Sequence, residues 1–106
     1  KIINENAYKI ALENAVNILS YRAHSKCELQ SKLRKKKYSE MVVDKVLDEF
    51  EHLGIINDMY FAKLYSEELL NQGNGKFKIK MKLQQRGIER EKIEEVIENI
   101  DDNDEL

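Results

Sequence analysis

The residues of this sequence with the clearest capacity for chemistry are its lysines and arginines, which are concentrated in two short segments. Residues 22–37 hold seven basic residues against one acidic residue, Glu28, and residues 76–86 hold five basic residues and no acidic one. Cations grouped in this way attract phosphates or an acidic protein surface. The candidate binding residues are Arg22, Lys32, Arg34, Lys35 and Lys36 in the first segment and Lys76, Lys78, Lys80, Lys82 and Arg86 in the second.

An acidic segment follows each basic segment. Residues 38–58 hold six acidic residues against Lys45 alone, and residues 89–106 hold nine against Arg90 and Lys92. The net charge of −2 therefore conceals two basic and two acidic blocks. In one interpretation, neighbouring helices of opposite charge form exposed ion pairs, each worth about 0–1 kcal/mol. In the other, the basic segments bind an acidic partner or phosphates, and the sequence leaves both open.

Other groupings of polar residues are weaker candidates for a site. The letters GNGK at residues 73–76 lack the full spacing of a phosphate-binding loop and a preceding strand, which favours a turn and a helix start. Cys27, His24 and His52 lack the two close pairs of a metal site. No nucleophile, base and orienting group can be assembled, so we predict no catalytic residue, metal or cofactor. The tyrosines have spacings that favour packing over base stacking: Tyr8, Tyr21, Tyr38, Tyr60 and Tyr65.

The elements that position these residues form an internal repeat of about fifty residues. The alignment bears on the letters GKFKIKMKL at residues 75–83, where lysine alternates with an apolar residue as in a half-buried strand. The repeat partner, KCELQSKL at residues 26–33, does not alternate. The two copies share only an i, i+4 apolar pair, which lies on one face of a helix: Leu29 and Leu33, and Ile79 and Leu83. Both segments are therefore predicted to be helices.

The composition extends this prediction to the whole chain. With 36% charged residues, no proline and four glycines, we expect an all-α fold of tandem three-helix repeats in an elongated array. Residues 1–56 are the first repeat, residues 57–102 the second, and residues 103–106 an acidic tail or the start of a missing third repeat. Predicted helices of the first repeat cover residues 6–21, 26–36 and 40–53. In the second repeat, one predicted helix begins at Asn57 or Asp58 and stops at residues 71–75, a second follows to Arg86, and a third follows Gly87. Predicted inward side chains are Ala11, Ala15, Ile18, Leu19, Val43, Val46, Leu47, Phe50, Leu53, Phe61, Leu64, Tyr65, Leu69, Ile93, Val96, Ile97 and Ile100.

Several residues mark the ends of these helices. Ser25 and Glu28 have the spacing of a capping box, in which each side chain bonds the backbone of the other residue. Gly54 and Gly87 are predicted to end helices in the left-handed conformation. Gly87 aligns with Lys37, so Lys37 is expected at positive φ, at a cost of about 1 kcal/mol relative to glycine.

Two further features indicate the cellular setting. The single cysteine, Cys27, excludes an internal disulfide, and the sequence contains no signal-like apolar segment and no membrane-length apolar run. We therefore expect a soluble cytoplasmic protein without a membrane partner. The first residue is Lys1 rather than methionine, so we expect the natural protein to be longer.

Four stretches carry a resemblance to a known family: LSYRAHSKCEL at residues 19–29, KLRKKKYS at 32–39, LGIINDMYFA at 53–62 and KLQQRGI at 82–88. Together with the alanine-rich first helix, residues 7–100 resemble the RecX family of recombination regulators. The resemblance implies tandem three-helix repeats that bind the RecA recombinase and its filament on single-stranded DNA. It further implies inhibition of filament extension, ATP hydrolysis, strand exchange and coprotease activity, without catalysis, cofactor or small-molecule substrate. Some members of the family also bind DNA.

The sequence departs from the family pattern in three places. Family members usually have at least three repeats, whereas this sequence has two. The basic residue usual before the capping serine is replaced by Ala23 or His24, and the usual glycine after the basic segment is Lys37. The basic residues named above are thus chosen by charge and not by a family motif. An alternative function is RecA-independent binding of nucleic acid through the second helix of each repeat, and a third is a purely structural piece of a larger regulator.

Overall fold

The computed structural model describes residues 5–100, which form six α-helices and, within that range, no strand. The helices are α1 (Glu5–Tyr21), α2 (Lys26–Lys35), α3 (Glu40–His52), α4 (Asp58–Asn71), α5 (Lys76–Gln85) and α6 (Arg90–Glu98). The chain divides between Asn57 and Asp58 into two compact units, each with three helices. The all-α prediction is confirmed.

The first unit is built from α1, α2 and α3, and each of these helices contacts the other two. Its core consists of two alanines of α1, the larger apolar residues of α2 and α3, and one isoleucine that follows α3: Ala11, Ala15, Leu29, Leu33, Val42, Val43, Val46, Leu47, Phe50 and Ile56. The alanines leave room for close approach of α1, while Leu29 and Leu33 are fully buried. The predicted i, i+4 pair of α2 is therefore a core pair.

The predicted apolar stripe of α3 is wrong at its last member. Leu53 is 58% exposed, although it continues the spacing of the buried residues before it. The reason is that α3 ends at His52 and the chain reverses at Gly54, where φ is 77°. The amides of Ile55 and Ile56 then bond the carbonyl of Phe50, and Ile56 enters the core in place of Leu53.

The second unit repeats the arrangement with α4, α5 and α6, which also contact one another pairwise. Its core contains Phe61, Ala62, Leu69, Ile79, Leu83, Ile88, Ile93 and Val96, with Tyr65, Ile97 and Ile100 packed against it. The prediction for α4 is wrong at Leu64, which is exposed, while Ala62 and Ser66 are buried. The hydroxyl of Ser66 is satisfied by donating to the Lys63 carbonyl at 2.9 Å, so a polar residue fits this position.

Helix α5 contains the lysine alternation that resembles a strand in the sequence. Ile79 and Leu83 are fully buried, whereas Phe77 and Met81 are 77% and 43% exposed. A strand would place all four of these side chains on one face, because its side chains alternate with a period of two. The helical prediction is confirmed, and its consequence is that two large apolar side chains point to solvent.

The helix starts differ between the two units. The capping box of α2 is confirmed, since the Ser25 hydroxyl accepts from the Glu28 amide and Glu28 Oε1 accepts from the Ser25 amide, both at 3.1 Å. The equivalent position in α5 is Gly75, which offers no side chain to the helix start. The GNGK segment thus serves as a turn and a helix start, the interpretation that its sequence favoured over a phosphate-binding loop.

Lys37 is the one non-glycine residue with positive φ in the part of the chain that the structure describes, at 72° beside 78° for Gly87. The expected left-handed helix stop is confirmed in both units. We predict that Lys37→Gly is neutral or stabilises the fold by about 1 kcal/mol, because glycine has no Cβ penalty there. Urea unfolding measures the change. Gly87→Ala is the reverse control and should destabilise by about 1 kcal/mol, and a clear loss of melting temperature in Lys37→Gly would contradict the prediction.

Candidate interaction surfaces on the second helices

The cations of α2 are largely engaged within the first unit. Arg34 forms a two-pronged pair with Glu40, with Nε to Oε2 at 2.8 Å and Nη2 to Oε1 at 2.9 Å. Lys26 Nζ lies 2.9 Å from Glu51 Oε1. Hydrogen bonds from Arg34 lower the pKa of the Glu40 carboxyl, as expected for a carboxylate held by a guanidinium. Two salt bridges therefore join α2 to α3. They agree with the interpretation in which neighbouring helices of opposite charge form exposed ion pairs.

Arg22 is engaged in the turn between α1 and α2. Its guanidinium bonds both carboxylate oxygens of Glu28, at 3.0 and 3.2 Å, and donates to the Ala23 carbonyl at 2.9 Å. Because Glu28 also caps α2, Arg22 holds the capping carboxylate in position. The structure thus gives this candidate binding residue a structural role in the turn.

His24 and Lys32 form a polar contact beneath the same turn. His24 is only 4% exposed; its Nδ1 lies 2.9 Å from the Arg22 carbonyl, and its Nε2 lies 2.8 Å from Lys32 Nζ. A carbonyl oxygen can only accept, so Nδ1 carries the proton and Nε2 accepts from the lysine ammonium. His24 is therefore neutral in the folded protein, and Lys32 is oriented by it.

We predict that this contact makes stability depend on pH. Burial lowers the pKa of His24 from its ordinary value of 6.5. The hydrogen bond to the Arg22 carbonyl opposes this shift, and the charges of Arg22 and Lys32 reinforce it. Its stabilising contribution is therefore present above pH 6.5 and is lost as the pH falls through the lowered pKa, since the unfolded chain binds the proton more readily. In urea unfolding at a series of pH values, His24→Gln should show a weaker dependence than the unsubstituted protein, and equal slopes would contradict this.

The cations of α5 are placed differently. Lys78 and Lys80 are exposed and Lys82 is half-buried, and none of the three has an ion pair among residues 5–100. In the first unit Lys35 and Lys36 are likewise exposed and without an ion pair within that range. The lysines of α5 alternate along the helix, so they fan over a wide face, as expected at about 100° per residue.

Arg86 differs from the lysines of α5, because it packs against α4. Its guanidinium carbon lies 4.4 Å from the centre of the Tyr65 ring, and its Nη2 donates to the Tyr65 hydroxyl at 3.0 Å. Such a cation–π contact with a hydrogen bond orders the side chain. Arg86 therefore links the end of α5 to α4. The remaining candidate of this segment, Lys76, is the first residue of α5.

The third helices are unsuited to phosphate. In α6, Arg90 forms a salt bridge with Glu94 at 3.2 Å, and Lys92 forms one with Glu89, which directly precedes the helix. The remaining charged residues of α6, such as Glu91 and Glu95, are acidic and would repel a DNA backbone. Helix α3 is acidic as well, with five acidic residues against Lys45. A helix lying in the major groove of DNA is therefore not expected from either third helix.

The structure also shows two surfaces that the charge pattern of the sequence does not predict. A groove of about 540 Å³ lies between α1 and α2 and is lined by Asn14, Asn17, Ile18, Tyr21, Arg22, His24, Lys32 and Lys36. The second surface is the exposed pair Phe77 and Met81 on α5. A signal for this pair existed in the repeat alignment, since the equivalent residues Cys27 and Ser31 are small or polar, as residues on the exposed side of a helix usually are.

The described residues offer neither a metal site nor a membrane span. Within residues 5–100 there is no cluster of three histidine, cysteine, aspartate or glutamate side chains able to hold a metal ion. None of the helices in that range combines the length and apolar character needed to cross a membrane. Three of the tyrosines, Tyr8, Tyr38 and Tyr65, are half-buried in packing contacts, whereas Tyr21 and Tyr60 are exposed.

Tandem three-helix units with basic second helices and acidic third helices define a class of all-helical repeat proteins with a candidate binding surface. Two family models match this chain: "RecX, first three-helix domain" over residues 11–50 and "RecX, second three-helix domain" over residues 57–97. The chain belongs to the RecX family.

Curated relatives share the similarity over both units. A regulatory protein RecX of Chlorobium phaeobacteroides is 34% identical over 94 residues, covering 88% of this chain and 62% of the relative. That of Finegoldia magna is 28% identical, covering 93% and 49%, and that of Listeria welshimeri is 32% identical, covering 90% and 36%. The chain thus spans less than two thirds of each of these relatives. The crystal structure of RecX from Lactobacillus salivarius matches with a TM-score of 0.84 at 25% identity, over 89% of this chain and 62% of that one.

Proposed function

We propose that this chain regulates recombination and DNA repair by binding the RecA recombinase, in particular the filament that RecA forms on single-stranded DNA. Binding inhibits filament extension, ATP hydrolysis, strand exchange and coprotease activity. The observation that carries the proposal is that both units match successive RecX domains and align with relatives named regulatory protein RecX. The protein acts by binding, in the cytoplasm, without catalysis, cofactor or small-molecule substrate.

The fold supports this mechanism by offering two binding units on one chain. Once one unit contacts a RecA protomer, the other is held at a high effective concentration near a neighbouring protomer. Modest contacts then add without any single tight site. Two units provide less of this effect than the three or more usual in the family, so inhibition should strengthen with additional units.

The test is the ATPase activity of RecA on single-stranded DNA, measured while the chain is added. We expect ATP hydrolysis and strand exchange to fall as the concentration rises, and to fall at lower concentration with a version that carries further three-helix units. The proposal fails if the longer version, shown to be folded by circular dichroism, changes neither activity.

A second candidate function, RecA-independent nucleic-acid binding, is supported by the exposure of Lys78 and Lys80 without ion pairs among the described residues. Its signature is binding of a labelled oligothymidylate without RecA, with an affinity that falls steeply as salt rises. Neutralising Lys78, Lys80 and Lys82 to glutamine should then flatten the salt slope by about 0.7 for each phosphate that the protein no longer neutralises. Absent or salt-insensitive binding rejects this function.

A further inference from the structure

The outward side of α5 combines apolar and cationic side chains. Phe77 and Met81 are one helical turn apart and exposed, on the side opposite the buried pair Ile79 and Leu83. At about 100° per residue, Lys80 lies on one flank of this pair and Lys78 on the other. We call Phe77, Lys78, Lys80 and Met81 the α5 face; it is an apolar stripe with a cation on each side.

The fold itself does not require the α5 face. The first unit has the same three-helix packing and the same buried pair in α2, yet it places Cys27, Glu28, Gln30 and Ser31 at the four equivalent positions. Exposed large apolar side chains cost solubility and contribute little to the core. The second unit thus has an apolar and cationic surface at the position where the first unit has a polar one. Such a difference is typical of a binding surface, because the fold does not require these residues.

We infer that the α5 face docks an acidic protein segment whose apolar side chains cover Phe77 and Met81 and whose carboxylates pair with Lys78 and Lys80. We choose an acidic partner because of charge complementarity: residues 76–86 hold five cations and no acidic residue. Methionine adapts to varied apolar partners and is common at protein-binding surfaces, whereas a nucleic-acid surface would present further aromatic side chains for stacking. The inference rests on the proposed function, since it names the surface through which a protein partner is held.

The experiment uses defined probes in place of the natural partner. Two short synthetic helical peptides share the same leucine positions and differ in carrying glutamate or lysine at the polar positions, and a labelled oligothymidylate is the third probe. Each is titrated into the chain and followed by fluorescence anisotropy, with two-dimensional NMR to locate the contact. The test variant is Phe77→Ser with Met81→Ser. The matched control is Tyr60→Ser with Leu64→Ser, an exposed apolar pair at the same spacing on α4.

We expect the glutamate peptide to bind at α5, the lysine peptide not to bind, and the test variant to weaken binding about tenfold while the control variant does not. Equal binding of the two peptides, equal loss in the test and control variants, or binding of oligothymidylate alone would overturn the inference. Circular dichroism verifies that each variant keeps its helices. Inhibition of RecA ATPase is read separately, so an inactive chain that still binds the glutamate peptide contradicts the proposed function and leaves the α5 face established.

Discussion

Leu83→Ala should lower the free energy of unfolding by about 2–5 kcal/mol, whereas Phe77→Ala should change it by about 0.5 kcal/mol or less. Leu83 is fully buried, so the substitution removes apolar contacts and leaves a cavity in the core of the second unit. Phe77 is the larger side chain and lies six positions earlier in the same alternating stretch, but it is 77% exposed. Burial, and not size or hydrophobicity, decides the cost.

Urea unfolding followed by circular dichroism measures both changes. Leu33→Ala is the matched substitution in the first unit, where the side chain is also fully buried, and it should cost a similar amount. Comparable losses from Phe77→Ala and Leu83→Ala would contradict the helical face of α5, because they are the result expected if the stretch buried every second residue.

The second large effect concerns binding. Lys78→Gln with Lys80→Gln should raise the concentration of the chain needed to inhibit RecA ATPase by about tenfold, or about 1.4 kcal/mol. These lysines are exposed and have no ion pair among residues 5–100, so their charge is available to an acidic partner. The same substitutions should slow association more at low salt than at high salt, because salt screens exposed charges.

The control for this prediction removes the same amount of charge from α2. Lys26→Gln with Arg34→Gln deletes two cations that already pair with Glu51 and Glu40. We expect at most about a twofold change in inhibition, since surface ion pairs of this kind contribute little and their field is already compensated. If both double variants lose inhibition equally, net charge matters and the placement of the cations does not.

The comparison of α2 with α5 shows that counting charges in a sequence identifies basic segments but not which of their cations form ion pairs. Both segments are basic, and both were candidates on that ground alone. The ion pairs of Lys26 and Arg34 depend on where Glu51 and Glu40 lie across the α2–α3 packing, and that distance is a property of the folded unit. Arg22 and Arg86 likewise have partners, Glu28 and Tyr65, that no count of charges identifies.

The helix caps and helix stops could be predicted from the sequence, because they depend on interactions among residues only a few positions apart. The capping box of Ser25 and Glu28, and the left-handed stops at Lys37 and Gly87, follow from hydrogen-bond geometry within one helical turn. The core spacing was predictable over most of each helix. It failed at Leu53, where the helix ends and the chain reverses, and at Leu64 within α4, where Ala62 and Ser66 are buried instead. The apolar periodicity of a helix does not predict which side chains will be buried after the chain reverses at its end.

The sequence by itself determined the six helices, their repetition and the separation of basic from acidic helices, because helix formation and apolar periodicity are local or repeat within the chain. Only the tertiary structure decided what the alternating stretch at residues 75–83 presents to solvent. Packing of α5 against α4 and α6 buries Ile79 and Leu83, which leaves Phe77 and Met81 exposed with Lys78 and Lys80 at their flanks. The physical reason is that α5 has apolar residues on two opposite sides, and only its neighbours in space determine which of the two is buried.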